Sequence, residues 1–175
     1  MGVAATHGGR AHADGPVMTM HMTSSSFADG QDIPVKHTCE GVDISPPLEW
    51  LGVPAAAKTL ALIVDDPDAP DPQEPTTTWV HWILYDIPVA TTRLPEGALP
   101  LPAGAREGKN DWRAIGYRGP CPPIGRHRYF FKLFALDTTL PDLAHPTKAA
   151  LERAMVGHVL ATGSLMGTYA KLGMR

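Results

Sequence analysis

Cysteine is scarce in this chain: of 175 residues only Cys39 and Cys121 carry a thiol. Two cysteines cannot build a disulfide framework, and without a CxxC pair they do not suggest a zinc site. A single bridge between them stays open, but a reduced cytosolic chain commonly holds a couple of buried thiols, and that is the expectation. No apolar run approaches the roughly 20 residues that span a bilayer, so no transmembrane segment is expected. Lysines and arginines are scattered, with no run of four or more. A formal net charge of −3 gives no electrostatic case for nucleic acid. No G-x-S-x-G is present, and Ser164 stands apart from the other motifs, so a serine nucleophile is not evident.

Turn formers are abundant. Eighteen prolines and 17 glycines are too many for a helix-dominated domain and suggest short strands joined by turns. Residues 1–16 are small, polar and Gly-rich, with no apolar core behind a basic start. They read as a flexible leader and not as a secretory signal, with residues 17–175 forming one domain. The histidines His7 and His12 in that leader have no fixed geometry and are not taken as metal ligands.

Three strands stand out: Lys58 to Val64 (KTLALIV), apolar enough to be buried on both faces, Trp79 to Ile87, and Tyr129 to Leu136 (YFFKLFAL). Met18 to Phe27 can open the sheet and Gly163 to Leu172 can close it. Thr147 can cap a helix over KAALERAMVGHVL, with Leu151, Met155 and Val159 in its apolar stripe. The fold expected is mainly β, an antiparallel β-sandwich with one or two peripheral helices.

Chemistry concentrates in three places. Asp65-Asp66-Pro67-Asp68-Ala69-Pro70 follows the buried strand, and three carboxylates in four positions need compensation or an Asx-type turn. In TWVHWILYDIP, period-two alternation puts Trp79, His81 and Ile83 on one face and Val80, Trp82 and Leu84 on the other. The imidazole of His81 needs a polar partner there. In GYRGPCPP, prolines leave the N–H groups of Gly119 and Cys121 free to face an anion, and His127 and Tyr129 then alternate onto one face of the next strand.

DDPDAP, a Trp-x-His strand, GYRGPCPP and a His-Arg-Tyr strand, in this order, resemble the phosphatidylethanolamine-binding protein family, also called the Raf kinase inhibitor protein family. The likeness runs from Met20 through CEGVDISPPLEW to LMGTY and is strongest to the bacterial and archaeal branch. The resemblance implies a two-sheet sandwich with a pocket for phosphate or phosphorylated head groups. It assigns Asp66, Asp68, Pro70, Trp79, His81, Gly119, Cys121, His127 and Tyr129 to ligand binding, and a cis bond before Pro70. Eukaryotic members carry a C-terminal helix that closes the pocket; with Arg175 following soon after GTY, the resemblance implies a more open pocket here.

The reading is a cytoplasmic protein that binds a small anion or phospholipid head group without a metal or cofactor, His81 and His127 donating to the anion. A kinase or protease is the protein target the resemblance implies, reached through loops 69–78 and 97–113, and a homodimer is compatible with it. The alternative is a hydrolase in which Asp66 and His127 act as a base pair on a small ester.

Overall fold

A computed structural model describes residues 16–173; all but the last residue of the 1–16 leader lies outside the described residues. The described residues form nine strands and one α-helix: β1 (Met18–Thr19), β2 (His21–Thr23), β3 (Leu48–Leu51), β4 (Thr59–Ala69), β5 (Thr77–Pro88), β6 (Arg93–Leu94), β7 (Arg106–Glu107), β8 (His127–Leu136), α1 (Lys148–Met155) and β9 (Val159–Tyr169). One sheet runs β1-β9-β8-β4-β5-β7 and a smaller one β2-β3-β6. All pairings are antiparallel except that of β1 with β9, which makes the large sheet mixed.

The apolar run of β4 explains the layering. Leu60, Leu62 and Val64 enter the core between the two sheets, where they join Met22, Leu48, Trp50 and Phe131. Ala61 and Ile63 face the opposite way and pack with Leu140, Leu151 and Met155. A strand covered on both faces has no polar alternation, which is what its sequence displays. Strand β8 alternates: Tyr129, Phe131, Leu133 and Ala135 face the inter-sheet core. Full burial of one such side chain stabilises by about 1.5–3 kcal/mol. At Gly163 of β9 a Cβ would lie 2.8 Å from the Met20 carbonyl, so glycine lets the N-terminal segment cross this strand closely.

Two expected elements end elsewhere. The helix starts where Thr147 accepts a hydrogen bond from Ala150 N (3.3 Å) but stops at Met155. Gly157 follows at φ +77°, a left-handed turn that glycine adopts without a Cβ clash, and Val159 opens β9 instead of extending the helical stripe. Strand β4 does not stop before the aspartates but carries them to Ala69, through register shifts against β5.

Among the described residues no helix is long and apolar enough to cross a membrane.

Candidate functional site

Each of the three aspartates has its own compensation. Asp65 points to the α1 side and pairs with Lys132 (2.7 Å) and Lys148 (2.5 Å). Asp68 is clamped by Arg128, whose backbone N and Nε donate to Oδ2, both at 2.9 Å, while Nη2 donates to Oδ1 at 2.7 Å. These charge-assisted bonds hold the Asp68 carboxyl below its ordinary pKa, against the opposing effect of burial. Asp66 accepts from Asp68 N (2.8 Å), the Asx-type contact anticipated, and from His127 Nδ1 (2.7 Å). Burial raises the Asp66 pKa, opposed by those two hydrogen bonds.

The pairing of β4 with β5 sets Val64 opposite Trp82 and then Asp65 opposite Val80, leaving His81 without a partner. This extra residue is a β-bulge, and it breaks the simple alternation expected from the sequence. Val80 and Ile83 share the outer core, while Trp82 faces the inter-sheet core. Trp79 and His81 turn to the end of the sandwich.

There they meet β8 around a cavity of about 300 Å³. Asp66, Pro70, Trp79, His81, Cys121, His127 and Tyr129 line it; Asp68 and Gly119 do not. Asp68 is turned to Arg128. The Gly119 N–H donates to Asp43 Oδ1 (2.7 Å), so it is not free for an anion. Glycine is required at this point because a Cβ would collide with the His37 carbonyl. The Ala69–Pro70 bond is cis, as expected, and so is Leu99–Pro100.

The ring nitrogens alter the chemistry inferred from sequence. His81 Nδ1 donates to the Arg118 carbonyl at 2.6 Å. Burial pushes its pKa down to about 4, although that hydrogen bond opposes the shift. At neutral pH Nε2 of His81 therefore presents a lone pair and not a charged donor. His127 is engaged at both nitrogens, Nδ1 by Asp66 and Nε2 by the Ile124 carbonyl (2.9 Å). Neither histidine keeps a free N–H for an anion.

What remains is a set of buried polar atoms with no hydrogen-bond partner among the described residues: Trp79 Nε1, His81 Nε2 and the Tyr129 hydroxyl. Burial raises the Tyr129 pKa, which keeps the phenol protonated. Buried polar groups are nearly always paired, so three orphans on residues of one cavity make it the candidate site.

Sequence reasoning missed Trp112, whose ring meets Trp79 (5.4 Å) and His81 (5.1 Å) edge-on. Its loop is set by the buried Asn110, whose Oδ1 accepts from Trp112 N and Ala114 N and whose Nδ2 donates to the Gly116 carbonyl. A loop aromatic gives no periodic signal; its place depends on this local network. The thiols are also not a reduced pair: Cys39 and Cys121 form a disulfide, their Cα atoms 5.4 Å apart. Cys39 N donates to the Pro120 carbonyl (3.1 Å), which draws together segments 82 residues apart in sequence. Among the described residues no cluster of three or more histidine, cysteine or acidic side chains could hold a metal ion.

The family model described as phosphatidylethanolamine-binding protein matches residues 23–170. A "UPF0098 protein" of Methanothermobacter thermautotrophicus is 48% identical over 155 residues, covering 87% of this chain and 99% of its own. A phosphatidylethanolamine-binding protein homolog from Chlamydia trachomatis superposes with a TM-score of 0.81 at 46% identity, over 88% of this chain and 99% of its own. E. coli YbcL, described as a new member of the mammalian PEBP family, gives 0.79 at 32% identity, over 87% and 99%. The chain belongs to the phosphatidylethanolamine-binding protein family.

Proposed function

We propose that this chain binds a small phosphate ester in the cavity between β5 and β8, and takes a monoester as its singly charged, protonated form. The observation that carries the reading is the trio of unpartnered atoms, Trp79 Nε1, His81 Nε2 and the Tyr129 hydroxyl. The indole N–H and phenol O–H suit two phosphate oxygens, and the neutral His81 Nε2 suits the P–O–H of a monoanion. The Asp66–His127 pair carries no net charge when both partners are ionised, so the cavity favours hydrogen bonding over a high ligand charge. Trp112, Pro122 and Pro123 would cover the organic part of the ester.

Binding without turnover is favoured over the hydrolase alternative because Nε2 of His127, the atom a base would use, already meets the Ile124 carbonyl. Modulation of a kinase or protease would use loops 69–78 and 97–113, which supply Pro70 and Trp112 to the cavity. A protein docked there would compete with the small ligand.

The test is titration of phosphoethanolamine followed by calorimetry and by phosphorus NMR. Saturable binding with no new phosphorus signal is expected. Tyr129→Phe should weaken it roughly tenfold to a hundredfold, the range for one hydrogen bond to a charged group. Release of inorganic phosphate would make the protein a hydrolase, and absence of saturation would remove the site.

A further inference from the structure

Loop segment 116–119 holds His81 through the Arg118 carbonyl, and it also forms a wall of a second cavity, of about 330 Å³. That volume is on the order of ten waters at about 30 Å³ each, more than a single bridging water needs. Ser45, Trp82, Glu107 and Tyr117 line it, together with the exposed apolar side chains of Leu99 and Ile115.

Two of these residues are 2% exposed and each has an orphan polar atom: Ser45 Oγ and Trp82 Nε1 have no hydrogen-bond partner among the described residues. A buried indole N–H ordinarily finds an acceptor, as that of Trp50 does at the Thr91 carbonyl (2.9 Å). Trp82 has only the edge-on ring of Tyr117, 5.7 Å away. The charge in this cavity is of one sign. Among the described residues Asp43 and Glu107 line it, and no lysine or arginine does. Asp43 Oδ1 is used by Gly119 N, whereas the Glu107 carboxylate has no ion pair among the described residues and stands near Gly116.

We propose that this second cavity binds a small cation that also carries a hydrogen-bond-accepting oxygen, as an amino amide does. The oxygen accepts from Trp82 Nε1 and Ser45 Oγ, the two donors whose burial would otherwise go uncompensated. The ammonium meets Glu107, and Leu99 and Ile115 cover the remaining methylenes. An anion is excluded by the paired acidic side chains, so this site and the phosphate site select ligands of opposite charge.

The probe is glycinamide, followed by the indole N–H resonance of Trp82 in nitrogen–proton spectra. That resonance is assigned as the one lost in Trp82→Phe. A saturable shift with glycinamide is expected, unaffected by Tyr129→Phe. Acetamide, which keeps the carbonyl and lacks the charge, should bind roughly tenfold more weakly, as should glycinamide to Glu107→Gln. Acetate should produce no shift. A non-saturating response to glycinamide, an equal response to acetate, or unchanged glycinamide affinity in Glu107→Gln would overturn the proposal.

Discussion

His127 Nδ1 lies 2.7 Å from Asp66 Oδ2, and both side chains are almost fully buried. The contact joins β4 to β8 at the mouth of the sandwich, where the two ring nitrogens meet the Asp66 carboxylate and the Ile124 carbonyl. Removing one member of a buried pair leaves the other without compensation and costs about 3–5 kcal/mol. Asp66→Asn retains an acceptor for Asp68 N, so the expected loss is at the lower end, about 3 kcal/mol by denaturant unfolding. A loss below about 1 kcal/mol, no more than a typical single hydrogen bond, would show that the pair does not hold the mouth together.

The neutral state of His81 gives a pH dependence of stability. Its folded pKa of about 4 lies below the usual unfolded value of about 6.5. Between those values the unfolded chain holds the proton and the folded chain does not, so stability falls as pH drops through that window. The full cost below pH 4 is about 3 kcal/mol, and none of it is felt above about pH 7. Asp68, with its pKa depressed by Arg128, loses its contribution only further down, below the ordinary carboxylate range. Unfolding curves of His81→Gln between pH 7 and 4 should therefore be flatter than those of the wild type. Parallel curves would place the charge change elsewhere.

The disulfide should matter to stability as well as to the cavity wall. Closing a loop of about 80 residues removes on the order of 4 kcal/mol of unfolded-chain entropy in the simplest treatment. The double variant Cys39→Ser, Cys121→Ser should approach that loss. It should also weaken phosphoethanolamine binding, because Cys121, Pro122 and Pro123 line the cavity. Thiol titration of the denatured, unreduced protein should find no free thiol. Two titratable thiols would contradict the bridge.

Much of the scaffold was legible because it follows from period and turn chemistry. The run Leu60 to Val64 reads as a doubly covered strand, and β8 alternates cleanly, so His127 and Tyr129 were placed on one face correctly. The bulge at His81 was not legible, since the extra residue is set by the pairing of β5 with β4 and leaves no mark in the pattern of TWVHWILY. Gly119 failed for a similar reason: its N–H is claimed by Asp43, a partner 76 residues away in sequence. The donor roles expected of the two histidines failed with it. That His81 is neutral and His127 fully engaged depends on the Arg118 and Ile124 carbonyls, which no motif specifies.

The central claim is that a phosphate monoester binds with a proton on the His81 side of the cavity. Free phosphate monoesters lose their second proton near pH 6, and His81 takes one only near pH 4. Affinity should therefore be flat between about pH 4 and 6 and fall roughly tenfold per unit above that, each binding event drawing a proton from solution. The direct measurement is calorimetry of phosphoethanolamine at pH 7 in buffers of different ionisation enthalpy, which reads the protons taken up per ligand bound. Uptake of roughly 0.9 proton is the predicted result, since about nine-tenths of the free ligand is dianionic there. Saturable binding with no proton uptake would mean that the dianion is the ligand and that His81 Nε2 does not accept the proton of the phosphate.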